Sequence, residues 1–180
     1  MKTILLTLAL ALGASPVQDM PEVEKLEQHD WLQHFVGDWT AKSETTMAED
    51  AEPMKMELTE SVRSIGGLWI LAEGSATFGG MPMSTVLTLG YDPAKKKFVG
   101  TWVDSVQTHM YVYEGELDAA QKVLTLSTTG PDFQDPSKTA KYRDLIEVKD
   151  ADNKVLTSSV QGADGAWTTF MRADYTRKKK

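Results

Sequence analysis

Histidine is the side chain that titrates nearest neutrality, and this sequence has three: His29, His34 and His109. His29 and His34 are five apart, about 140° around a helix at roughly 100° per residue, so they share no face and cannot chelate one ion. Both read as partly exposed helix histidines. His109 alternates with Tyr111 and Tyr113 at the start of a strand, just after Trp102 and Asp104. If that face points inward, these side chains line a cavity, and a neutral imidazole there could serve as a general base or ligate a haem iron. The preferred reading of His109 is the plainer one, a solvent-facing or loop-edge residue, and no haem or other cofactor is expected.

Charged side chains add a second candidate set. Arg143 shares a strand face with Glu147, while Tyr142 faces the other way. Arg143 and Arg63 could anchor an acidic ligand head through charge-assisted hydrogen bonds. The plainer and preferred reading pairs Arg143 with Glu147 or Asp104 in a structural ion pair. Together with the tryptophans, the candidate lumen residues are Trp39, Arg63, Trp69, Trp102, Asp104, His109, Tyr111, Tyr113 and Arg143. No catalytic residue is named. An enzymatic alternative, a small hydrolase or isomerase, needs Asp104, His109 and Arg143 to converge on one pocket. Methionines at 47, 54, 56, 81, 83, 110 and 171 suit an adaptable apolar cavity and equally an ordinary core. Met81-Pro82-Met83 after Gly79-Gly80 is expected as a mobile flap over a barrel mouth.

The missing motifs exclude whole classes. There is no Gly-rich phosphate loop, HExxH or Gly-x-Ser-x-Gly elbow. Cysteine is absent, which removes disulfides, thiolate metal sites and cysteine nucleophiles. The net charge of −7 makes a poor non-specific nucleic-acid binder, so no nucleic-acid partner is expected. The basic residues 178–180, after Arg177, read as a solvated tail.

The elements that must position these side chains fit one domain in 180 residues, with 41% apolar and 25% charged residues. Residues 1–15 read as a signal peptide: Lys2, an apolar run over 4–12, then Gly13, Ala14 and Ser15 before Pro16. That run is too short to span a bilayer, so a secreted protein, periplasmic or extracellular, with no membrane span after cleavage is expected. Removing it takes away Lys2 and leaves the mature chain one unit more negative. Residues 16–21 read as a linker, and 22–35 as the single helix, opened by Pro21 and stopped by Gly37. The remainder, to residue 177, reads as strands over 38–46, 54–64, 68–78, 83–91, 97–104, 108–117, 123–129, 140–149, 154–161 and 166–175. Turn signals such as Gly66-Gly67, Gly79-Gly80, Asp92-Pro93 and Asp164-Gly165 separate them. This is an all-β protein, an antiparallel meander of about ten strands. Closure into a barrel removes two exposed edges; a two-sheet sandwich is the runner-up. Phe98 and Trp102 share one strand face and Val99 and Val103 the other, which suits a wall apolar on both sides.

The order of the short motifs carries a resemblance. Phe35-Val36-Gly37-Asp38-Trp39, Gly90-Tyr91-Asp92-Pro93, the run from Phe98 through Trp102 to Ser105, Glu114-Gly115, Gly130-Pro131, Tyr142-Arg143, Ile146-Glu147 and Asp164-Gly165 occur in that order. With these, the chain from about residue 26 to 177 resembles the secreted bacterial domain-of-unknown-function family numbered fifteen seventy-nine. The family is similar to calycin-like barrels, the group of lipocalins, fatty-acid binders and nitrobindins. The resemblance implies the barrel and leaves activity open. Nitrobindin-like barrels hold haem through a histidine late in the chain, and here no histidine follows His109, so that carry-over fails. The leading functional expectation is a barrel holding a small apolar or amphipathic ligand in its lumen. The alternatives are the hydrolase or isomerase above and a ligandless structural or interaction module. The oligomeric state is left open.

Overall fold

The structure is a computed structural model and describes residues 23–46 and 51–179. The expected leader 1–15, the linker 16–21 and Met47 lie outside the described residues.

From Gly37 the sequence alternates with the two-residue period of a pleated strand. In β1 (Gly37–Thr45), Trp39, Ala41, Ser43 and Thr45 are buried, and the residues between Asp38 and Glu44 that alternate with them are exposed. The same alternation continues through β2 (Met54–Ile65), β3 (Trp69–Phe78), β4 (Met81–Asp92) and β5 (Lys97–Asp104). It runs on through β6 (Tyr111–Leu117), β7 (Val123–Pro131), β8 (Thr139–Val148), β9 (Asn153–Gln161) and β10 (Trp167–Arg177). Each strand pairs antiparallel with the next, and β10 pairs back onto β1, Trp39 opposite Arg177 and Thr45 opposite Met171. The meander is therefore a closed ten-stranded barrel, with no sheet edge left unpaired.

Three local expectations are corrected. The helix is shorter than 22–35: α1 spans Glu27–Leu32 and passes into a 3₁₀ turn, Gln33–Phe35. Leu26 is extended, and its N–H donates to His29 Nδ1 at 2.9 Å, which caps the helix start. Val23 is 64% exposed, so extending the helix backwards would bury no apolar surface. Second, Met81-Pro82-Met83 is no flap. Met81 pairs with Phe78 and Met83 with Ala76, because Gly79 and Gly80 both take positive φ (56° and 84°) and close a two-residue hairpin. Third, β6 begins at Tyr111, so His109 sits in the loop before it.

The helix closes one end of the barrel. Trp31 Nε1–H donates to the Gln121 carbonyl at 2.9 Å, tying α1 to the β6–β7 turn. Trp39 Nε1–H donates to the Phe35 carbonyl at 2.8 Å. The Arg177 guanidinium donates to the carbonyls of Val36 and His34, 2.6 Å each. Beneath lies an aromatic layer in which Trp31 meets Phe35 and Phe98 edge-on, and Phe98 meets Tyr91. His29 is a further correction: it is 3% exposed rather than partly exposed, packed edge-on against Tyr91. Its Nδ1 accepts from the Leu26 N–H and its Nε2 lies 3.3 Å from the Tyr91 carbonyl, so both ring nitrogens are partnered. His34 is exposed.

Candidate ligand-binding cavity

The other half of the barrel is hollow. A cavity of about 230 Å³ opens at the end opposite the helix. Its cause is the length of the inward side chains. β3 turns Ala72, Gly74 and Ala76 inward, β1 contributes Ser43 and β9 contributes Ser158, none long enough to reach the barrel centre. Apolar residues dominate the wall, with Leu58, Leu87, Leu126, Ile146 and Leu156 deep and Met56, Met83, Met171, Phe133 and Phe170 also lining it. Phe170 meets Phe133 and Tyr142 edge-on, and Phe133 lies tilted against Tyr142. Tyr142 O–H donates to the Pro131 carbonyl at 2.6 Å, which fixes the start of the β7–β8 loop that carries Phe133. Burial, with smaller contributions from Tyr111 and Asp132, pushes the Tyr142 hydroxyl up to about 12.

Polar atoms are few and grouped. Tyr113 O–H donates to Asp144 Oδ2 at 2.5 Å, a short charge-assisted bond between β6 and β8. Burial raises the Asp144 carboxyl above its ordinary value, while the Ser158 and Tyr113 hydroxyls pull it the other way. Burial, then the neighbouring Asp144, push the Tyr113 hydroxyl well up, so it stays a proton donor throughout the physiological range. Ser43 Oγ, on a residue 1% exposed, lines the same cavity and has no hydrogen-bond partner among the described residues.

Below the cavity the barrel holds a buried ion pair. Lys154 Nζ meets Glu60 Oε1 at 2.5 Å and lies over the rings of Tyr175, Trp39 and Phe35 at 4.5, 4.8 and 5.2 Å. Burial lowers the Lys154 amine and the Glu60 carboxylate opposes that shift. Glu60 lines the cavity; Lys154 stands behind it.

The expected site residues divide. Trp102, Tyr111 and Tyr113 line the cavity. Trp39 lies in the packed floor, its ring under Lys154 and under the Arg177 guanidinium at 4.1 Å. Asp104 shapes the mouth instead of facing the lumen. It accepts from the backbone N–H groups of Val106 and Gln107 (2.7 and 2.9 Å) and from Gln107 Nε2–H (2.6 Å), holding the loop from which Gln107 reaches Tyr111 O–H. His109 packs edge-on against Tyr111, ring centroids 4.7 Å apart, with Nε2 3.3 Å from the Thr129 carbonyl. Arg63, Trp69 and Arg143 are on the outer wall, which corrects their place in the lumen set. Tyr142 and Asp144 take the inward parity of β8, so Arg143 points out and stacks on Trp167 at 4.4 Å. Trp69 lies over Gly90 on the outer face, where a Cβ on the glycine would strike the indole. Asp104, His109 and Arg143 therefore do not converge, and the expected ion pair of Arg143 with Glu147 or Asp104 gives way to that stack. Glu147 pairs with Lys149 instead.

Sequence reasoning missed Asp144, Ser43, Glu60 and Lys154. A signal for the two acidic residues was present. Each interrupts a run that is apolar at every second position: Ala140, Tyr142, Asp144, Ile146, Val148 in β8; Met54, Met56, Leu58, Glu60, Val62 in β2. Lys154 opens the inward set of β9 ahead of Leu156, Ser158 and Val160 and carries no such signal.

Among the described residues, no group of three or more His, Cys, Asp or Glu side chains could hold a metal ion, and no helix is long and apolar enough to cross a membrane. Ten strands in one closed meander, capped by a short helix at one end and hollow at the other, define a calycin-like barrel. Residues 24–177 match the family described as "Protein of unknown function (DUF1579)", and the chain belongs to that family. No curated protein matches the chain in sequence. Among the solved structures that share its fold are two with the following likeness. The S-type phycobiliprotein lyase CPES from Guillardia theta is 15% identical with a TM-score of 0.57, over 84% of this chain and 92% of that chain. Rv2717c from M. tuberculosis is 11% identical with a TM-score of 0.56, over 87% of this chain and 100% of that one. At such identities the likeness is one of fold.

Proposed function

We propose that this protein binds a small, largely apolar ligand in the open half of its barrel. The observation that carries this reading is the cavity itself: about 230 Å³, walled by leucine, methionine and aromatic side chains, with a few grouped polar atoms. That is the composition of a small-molecule site, in which apolar wall supplies affinity and a few polar groups set orientation. A barrel kept only as a rigid module gains stability from a filled interior, and this one spends small residues on keeping half of it hollow. We also take the protein to act after export, on the strength of the apolar run over 4–12 and the small residues behind it; fractionation of expressing cells with N-terminal sequencing of the product checks it.

The binding test uses N-phenyl-1-naphthylamine, a neutral probe that brightens in apolar surroundings. Saturable binding with one probe per chain, lost when Ala76→Trp fills the lumen, is the expected result. Linear, non-saturating fluorescence, or saturation that the filled variant leaves unchanged, overturns the reading.

A further inference from the structure

The charged residues that line the cavity are both acidic: Glu60 and Asp144. Glu60 is matched by Lys154 behind it. Among the described residues Asp144 is matched by no cation; its partners are the Tyr113 and Ser158 hydroxyls, which are neutral donors. The arginines that could receive an anionic head, Arg63 and Arg143, are on the outer wall. A fatty-acid-like carboxylate in this lumen would thus meet a like charge and no counter-ion, at a cost of desolvation with nothing to offset it. A cation meets the reverse: a buried carboxylate already oriented by Tyr113, in a wall that also carries the aromatic rings of Trp102, Tyr111 and Tyr142. A second, independent observation points to a polar ligand group as well. Ser43 Oγ is buried in the same cavity without a partner among the described residues, and a ligand N–H or hydroxyl would satisfy it.

Building on the cavity reading above, we propose that the ligand class is an amphipathic organic cation, an apolar body with a protonated amine seated on Asp144. The apolar wall takes the body, and the amine donates to the Asp144 carboxylate on the side that Tyr113 leaves free. Burial already works against the ionised form of Asp144, so a bound cation stabilises that form and in turn gains the charge-assisted bond.

The experiment compares octylammonium, octanol and octanoate as competitors for the naphthylamine probe on the full chain. The three share one apolar tail and differ in head charge. Octylammonium is expected to bind about tenfold or more tightly than octanol, and octanoate to bind more weakly than either. Within Asp144→Asn, octylammonium is expected to bind no more tightly than octanol, the preference being read as the ratio of the two affinities in the same variant. Octanoate binding as tightly as octylammonium, or the preference surviving in Asp144→Asn, overturns the proposal. Acidification of the wild-type chain tests the same bond without a variant. Protonation of Asp144 is expected to weaken octylammonium and leave octanol alone; parallel curves overturn the proposal. The other titratable groups facing this site are Tyr111, Tyr113, Tyr142 and Tyr175, which stay protonated, and the Glu60–Lys154 pair, which the octanol control reports. If neither the probe nor octanol binds, the cavity reading fails and this inference with it; if octanol binds without a cation preference, only this inference fails.

Discussion

The same ten strands build both ends of the barrel, yet the ends differ in what they turn inward. Toward the helix, the inward positions carry Trp39, Leu89, Phe98 and Leu124, each 2% exposed or less; α1 adds Trp31 and Leu32, and the 3₁₀ turn after it adds Phe35. Toward the mouth, the same strands carry Ser43, Gly74, Ala76 and Ser158, and the aromatic residues stand around the space instead of filling it. One end is a core and the other a container. A closed barrel permits this because its hydrogen-bonded wall is complete without a filled interior, and one packed layer can hold the chain together while the next stays open.

The largest test of that contrast is truncation at each end. Trp31→Ala removes a buried indole and its bond to Gln121 and is expected to cost about 3–5 kcal/mol of unfolding free energy in urea. Met83→Ala at the mouth enlarges space that is already open, and about 1 kcal/mol or less is expected. Equal losses would break the division between core and container. The buried pair in the floor comes next. Glu60→Leu alone leaves Lys154 buried without its carboxylate, at about 3–5 kcal/mol, whereas Glu60→Leu with Lys154→Met is expected to recover most of that loss. A double variant no better than the single one would show that the pair is not what holds the floor. A smaller effect on stability, with a large one on binding, is expected from Ala76→Trp: unfolding free energy within about 1 kcal/mol of wild type, and probe affinity down by about tenfold or more. Unchanged affinity would place the probe elsewhere.

The smallest expected effect is a pH dependence. The Asp144 carboxyl is raised above 3.8 in the folded chain by burial. Between that ordinary value and the raised one, the folded chain holds more protons than the unfolded chain. Stability from this group therefore increases as pH falls through the window and is lost as pH rises through the folded value. The urea midpoint of wild type relative to that of Asp144→Asn, followed from neutral pH into the carboxylate range, should rise on acidification. A relative midpoint that falls contradicts the sign.

Most of the architecture was legible because it rests on local signals. Paired glycines and Asp-containing turns mark where the chain must reverse, and strand boundaries fall within a few residues of them. Helix length was not local. Residues 23–26 have the composition of a helix start, but only the position of the barrel end decides which turn of helix finds apolar surface to cover. His109 shows the same limit at the mouth. Its alternation with Tyr111 and Tyr113 continues a strand pattern, while the Asp104 turn holds the segment before Tyr111 out of the ladder.

The sequence by itself determined that the chain folds as an antiparallel meander, because alternation and turn chemistry act over a few neighbours. It also determined which chemistries are missing, because absent cysteines and motifs need no coordinates. Tertiary structure decided which face of each strand is the lumen. A shift of one residue exchanges the whole set of inward side chains, and the choice between Arg143 and Asp144 is such a shift. The hydrophobic side of β8 settles it: Tyr142 and Ile146 turn in, and Asp144 goes with them. The site is acidic for that reason, and the arginines that first suggested an anion are outside.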